Sequence, residues 1–265
     1  MTGFGNHVLT RGLKLAALAA ICGSLASADV LYWTDFQLPG MSGVNVIPGG
    51  IALAGLTGVS ATSSADFDSK LKSGTWSAVI IAIQGNSVGS YNILPDLSTY
   101  VANGGTLIGT DWDATDDSAF FSLFDAAPTG VNNSSITNDG NSLFNGITGN
   151  ISLTNPGWGV YDQSFAALAG GTGIGPSGSG SGIIEGNNGQ TFLNGALFDT
   201  YKTPGQGQQL VANELAGGAF PTLRLLADTI DAVPEPGTFV LLLGALGGLV
   251  LVRATRNKGS AGTIL

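Results

Sequence analysis

The sequence has a single cysteine, Cys22, and a single histidine, His7, with neither residue type recurring after position 22. A body without them has no disulfide, no thiol nucleophile, no imidazole base and no Cys/His zinc site. Basic residues are nearly as scarce. Between residues 29 and 233 only Lys70, Lys72, Lys202 and Arg224 face seventeen acids, a net charge of −13. Such a surface repels nucleic acid and anionic glycans and suits cations or neutral sugars. Long apolar runs are absent except for one near each end. What is plentiful is glycine, 42 residues of it, with many Ser, Thr and Asn. That composition is common in secreted bacterial proteins and diagnoses little by itself.

The two apolar runs read as addresses. Arg11 and Lys14 precede Leu15–Leu25, which ends in Ala26-Ser27-Ala28. Residues 1–28 are therefore expected to be a secretory signal peptide, cut by signal peptidase between Ala28 and Asp29 with Ala26 and Ala28 as the small residues of the site. Lipid attachment at Cys22 is not expected, because Ile21 stands where a small residue is required. At the other end Val233-Pro234-Glu235-Pro236-Gly237 leads into Phe239–Val252, then Arg253, Arg256 and Lys258. Fourteen apolar residues span roughly 21 Å as a helix, short of a hydrocarbon core of about 30 Å. Flanking residues make up the difference, giving an expected transmembrane helix over 238–252 in a membrane it fits only marginally. The cations after it place residues 259–265 in the cytoplasm and the body outside.

This order of parts, Pro234-Glu235-Pro236, short apolar helix and basic end over 233–258, resembles the PEP-CTERM sorting signal of bacterial surface proteins. The resemblance implies a membrane-anchored precursor from which exosortase removes the tail. It also implies export across the inner membrane to the cell surface or an extracellular matrix, with extracellular polysaccharide as a neighbour.

Residues 29–218 are expected to be one domain, followed by a linker or edge strand over 219–232 that contains Leu223, Leu225 and Leu226. Val30–Trp33 reads as a strand buried on both faces and ends at Thr34-Asp35. Gly50–Leu56 reads as a short helix closed by Gly58, and Val59–Thr62 as a second strand. Ser64 is placed to cap a helix over Ala65–Lys72, whose acids come first and lysines last, as the helix dipole favours. Ala78–Ile83 is the most β-branched run and is expected at the sheet centre. A helix over Leu94–Ala102, a strand over Thr106–Thr110 and a helix around Asp116–Phe124 follow. This alternation argues for an α/β fold with a parallel sheet covered by helices on both faces. Gly170–Gly182, rich in Gly and Ser, reads as a flexible loop.

The stretch from Trp76 to Ile81, with Leu97–Ile108, resembles the central unit of class I glutamine amidotransferase-like domains. Asn141–Ile147, Asn194–Asp199 and Leu210–Asn213 resemble their later elements. The resemblance implies a flavodoxin-like fold. It also implies a catalytic Cys where this chain has Asp111, a His where it has Asp199, and an oxyanion loop at Gln84-Gly85-Asn86. The scaffold is thus expected without its catalytic dyad.

Asp111, Asp113, Asp116 and Asp117 form the densest chemistry, expected at the carboxyl end of a strand where open α/β sheets bind ligands. One reading gives them to Ca²⁺ or Mg²⁺, with Asp111 and Asp113 as candidate ligands. The other has Asp113 or Thr115 cap the next helix, with Asp116 and Asp117 in its first turn. Gly85, Asn86, Asp199 and Trp112, the tryptophan between two aspartates, complete the candidate binding set. The expected role is a non-catalytic binding or structural component of the envelope or exopolysaccharide. The alternative is a carboxylate-based or metal-assisted hydrolase of glycans centred on Asp111, Asp113 and Asp199. What separates the two is whether Asp111 and Asp199 converge in one cleft with a third polar group.

Overall fold

Ala78–Ile83 has every residue buried, and successive side chains feed two different apolar cores. A strand can do this only when covered on both faces. The structure, a computed structural model, describes residues 29–36, 43–85, 87–111, 117–154 and 162–219. The expected signal peptide, the segment at Leu223–Leu226 and the expected sorting signal lie outside these residues. Among the described residues no helix is long and apolar enough to cross a membrane. The expected span over 238–252 is not among them.

The first half runs β1 (Asp29–Thr34), α1 (Ile47–Leu53), β2 (Thr57–Ser60), α2 (Ser64–Ser73), β3 (Ala78–Ile83), α3 (Leu94–Ala102), β4 (Leu107–Asp111) and α4 (Ser118–Ser122). The second runs β5 (Ala126–Asn132), β6 (Ser135–Ile136), β7 (Ile151–Ser152), β8 (Gln163–Ala167), β9 (Thr172–Ser177), β10 (Gly180–Gly186), β11 (Thr191–Asn194) and α5 (Pro204–Ala219). The main sheet has nine strands in the order β2-β1-β3-β4-β11-β10-β8-β5, with β9 paired to β10. Strands β2, β1, β3, β4 and β11 are mutually parallel. Their order is that of a doubly wound sheet, with β11 in the place of a fifth strand.

The all-parallel expectation is corrected beyond β11, where β10, β8, β5 and β9 are antiparallel. Gly170–Gly182 is correspondingly not a flexible loop. It holds β9, a tight turn through Gly178 with φ of 59°, and the start of β10. Glycine lowers strand propensity, but Ile174, Ile183 and Ile184 are buried, each contributing about 1.5–3 kcal/mol. Tertiary pairing overrides the composition.

Helices cover both faces. Ile47 and Ile51 of α1 with Leu210, Val211 and Leu215 of α5 join Ala78, Ile80 and Ala82 in one core. Phe67 and Leu71 of α2, Leu97 and Val101 of α3, and Phe120 and Phe121 of α4 join Val79, Ile81 and Ile83 in the other. A side chain at Gly50 would place its Cβ 2.6 Å from Val211, so glycine lets α1 lie directly on α5.

Local details shift the expected boundaries. The first helix begins at Ile47, with Pro48 in its opening turn, and ends before Gly55 rather than at Gly58, which belongs to β2. The cap of α2 is Ser63, which accepts the N–H of Asp66 at 3.1 Å, one residue before the expected Ser64. Helix α4 is shorter than Asp116–Phe124. Strand β11 ends at Asn194, one residue past its parallel ladder with β4, so the stretch Asn194–Asp199 contributes only its first residue to a strand before the chain turns across the sheet end.

Candidate functional site

In a doubly wound sheet the connections diverge from β1, to β2 on one side and β3 on the other, and this leaves a crevice at the carboxyl ends of β1 and β3. The first polar residues past these strands are Asp35 and Gln84, both buried. Asp35 Oδ1 accepts the backbone N–H of Gln84, both its carboxylate oxygens accept the N–H of Gly85 at 3.1 Å, and Oδ2 accepts the Tyr91 hydroxyl at 2.8 Å. The loop leaving β3 then passes into a single 3-10 turn, Val88–Tyr91.

The other acids reach the same loop. Asp111, the last residue of β4, accepts the N–H of Val88 on Oδ2 at 3.0 Å. Asp117 accepts the N–H of Gly89 on Oδ1 at 3.0 Å. Gln84 sends its side-chain Nε2 to Asp199 Oδ2 at 3.0 Å. Residues 195–199 come over the strand ends because Val46 N–H donates to Phe198 O at 2.9 Å and Gly43 N–H to Asp199 O at 3.1 Å. Asp35, Asp111, Asp117 and Asp199 therefore surround the 84–89 segment, and all four bond to it.

Burial decides what these groups can touch. Asp111, Asp117 and Asp199 are 1%, 3% and 2% exposed. They lie within the protein, while Gly89, Ser90 and Asn92 of the loop face solvent. Asp117 stands at the N-cap position of α4, but its side chain makes no cap bond and serves Gly89 instead. That corrects its expected place in the first helical turn. Asp113, Asp116, Trp112 and Asn86 lie outside the described residues, as do the sorting-signal residues Pro234, Glu235, Pro236, Arg253 and Arg256 and the cleavage-site residues Ala26 and Ala28. Among the described residues no group of three or more acidic side chains is arranged to hold a metal ion.

Trp33 and Trp76 do not present faces to a sugar. Trp33 is buried, with Phe67 at 6.0 Å and Tyr91 edge-on at 4.8 Å. Trp76 is half-buried and donates its Nε1–H to Lys70 O at 2.9 Å.

Asp35 and Tyr91 were not among the residues expected from the sequence, and Gln84 was expected only as part of the oxyanion loop that the amidotransferase resemblance implies. A usable signal was present, since Asp35 and Gln84 are the first polar residues after two apolar strands and so must stand at the strand ends. Chemically, the arrangement is a set of acceptors that fix the backbone of one loop. Cysteine and histidine are absent from residues 29–265.

Fold and site together define a mixed α/β domain whose doubly wound half carries a carboxylate-braced loop over the β1/β3 crevice. No protein-family model and no curated protein matches the sequence. Among solved structures, α-L-fucosidase isoenzyme 2 from Paenibacillus thiaminolyticus is similar at 15% identity and a TM-score of 0.45, over 82% of this chain and 36% of that one. This chain thus spans about a third of the fucosidase. A ThuA-like protein from Bacteroides uniformis aligns at 11% identity and a TM-score of 0.46, over 72% of this chain and 94% of that one. A glutamine amidotransferase from Thermotoga maritima aligns at 9% identity and a TM-score of 0.41, over 73% and 96%. All three are distant likenesses, and nothing further rests on them.

Proposed function

We propose that residues 29–219 are the binding module of an exported surface protein and that the loop over the β1/β3 crevice recognises a neutral, hydroxyl-rich ligand such as an extracellular polysaccharide without transforming it. The observation that carries this reading is the state of Asp111 and Asp199. A glycan hydrolase needs a pair of carboxyls open to substrate and water, one to protonate and one to attack or activate. Here both are closed off and engaged by the 84–88 segment. A loop braced in this way presents peptide groups and the hydroxyl-bearing residues Ser87 and Ser90 at low entropic cost, which favours recognition. The strongly acidic body favours neutral over anionic saccharides. A calcium or magnesium ion remains part of the proposal only as a partner of the Asp111–Asp117 stretch.

The test is glycan-array and calorimetric binding by the full-length chain, with and without calcium, followed by product analysis. Binding of a neutral oligosaccharide with no turnover, lost by tenfold or more in Ser90→Trp, is the expected result. Turnover that disappears in Asp111→Asn would replace this reading by the hydrolase.

A further inference from the structure

A second polar group lies away from the crevice, where α5 packs on the sheet. Glu214 of α5, Asn194 at the end of β11 and Tyr201 are 0%, 0% and 4% exposed. Neither carboxyl oxygen of Glu214, neither polar atom of the Asn194 amide, nor the Tyr201 hydroxyl has a hydrogen-bond partner of good geometry among the described residues. The three are neighbours. The Asn194 side chain reaches Glu214 as a hydrogen-bonding neighbour that favours its charged form, although the contact falls short of a well-formed hydrogen bond, and Glu214 and Asp162 both act electrostatically on the Tyr201 phenol.

The placement follows from the helix. Gly207 lies seven residues before Glu214, two turns earlier on the same face, and a Cβ there would sit 2.7 Å from the Tyr201 ring. Leu210, Val211 and Leu215 of α5 share a core with Phe192, Ala196, Phe198 and Tyr201. The polar groups are therefore enclosed by apolar packing and cannot reach bulk solvent.

Buried polar atoms in folded proteins are almost always paired, with protein groups or with ordered water. Five polar atoms on three adjacent side chains, none with a well-formed hydrogen bond among the described residues, make a site polar enough to hold solvent, which needs two to four partners per molecule. We propose that Glu214, Asn194 and Tyr201 enclose an internal water site beneath β11, in which ordered solvent bridges the atoms that the side chains leave unpaired and so docks α5 on the sheet.

The charge state is consistent with this. Burial pushes the Glu214 carboxyl up to about 8, with Asn194 drawing it partly back, so the group keeps its proton at neutral pH and can donate as well as accept. The ionisable groups facing it are Tyr201, whose phenol is raised chiefly by burial, and Asp162, raised by burial to about 8 against the lowering effect of its Ser177 bond. Helix α1, which packs on α5, contributes no ionisable side chain. A site of neutral groups holds water at no cost in buried charge.

The test uses the full-length chain and two measurements. A high-resolution crystal structure should show ordered solvent within hydrogen-bond distance of the Glu214 carboxyl and the Asn194 amide. A dry site, with these atoms paired to one another, overturns the proposal. Thermal unfolding is then followed against pH for the wild type and Glu214→Gln. Because the folded-state value of about 8 exceeds the reference value of 4.5, the unfolded chain loses this proton first and wild-type stability falls as pH rises through that window. The amide of Glu214→Gln keeps the solvent contacts but does not titrate, so its midpoint should fall roughly 2–4 °C less per pH unit. Parallel curves for the two proteins would show that Glu214 is not held neutral in an enclosed site, and would overturn the proposal as well.

Discussion

The Gln84 side-chain amide donates to Asp199 Oδ2 across 3.0 Å, joining the end of β3 to the segment that crosses the sheet after β11. Both side chains are buried. Asp199→Ala removes this acceptor from a buried amide and should cost about 1–3 kcal/mol, read from the urea midpoint. In a double-mutant cycle with Gln84→Ala the two losses should fall short of additive by about 0.5 kcal/mol or more. Strict additivity would mean that the bond carries no coupling and that the crossing segment is held by its backbone bonds alone.

Asp35 is the larger anchor. Its carboxylate accepts from two backbone N–H groups and from Tyr91, and asparagine would turn an NH₂ group toward donors it cannot pair with. Asp35→Asn should cost about 1.5–3 kcal/mol and Tyr91→Phe about 0.5–1.5 kcal/mol. Hydrogen exchange at Gly85 should speed up in Asp35→Asn and stay near wild type in Tyr91→Phe. Equal effects from the two changes would place the anchor in the phenol instead of the peptide bonds.

Processing of the carboxyl end tests the sorting reading. In a host with an exosortase, an epitope placed after Leu265 should be lost from the surface form, with the new end at or near 234–237. Pro234→Ala with Pro236→Ala should retain most of it, because an extended, proline-flanked substrate is removed. Full retention of the epitope by the unmutated chain at the surface would leave an ordinary single-span anchor.

Much of the parallel half was legible because its signals are local. The β-branched run Ala78–Ile83 and the periodic apolar positions of Leu94–Ala102 each encode one element within a few residues. The antiparallel half was not, because β9 and β10 are glycine-rich and owe their strand form to pairing with one another and with β8 and β11, which their own residue types do not signal. The acids Asp111, Asp117 and Asp199 were read from the sequence either as ligand-facing or, for Asp117, as part of a helix start, and in the structure they bond to the loop of residues 84–89.

From the sequence alone came the absence of Cys and His after residue 22, the acidic balance of the body and the alternation of strand and helix. Composition and short-range periodicity carry these, and no folding is needed to read them. Only the tertiary structure decided which carboxylate meets which N–H and why Glu214 lacks a well-formed hydrogen bond among the described residues. Asp35 finds Gly85 because β1 and β3 are neighbours in a sheet whose order the chain does not follow. Glu214 is buried because its helix lies face down on the strands. Pairings of this kind depend on distances through space, to which spacing along the chain gives no guide.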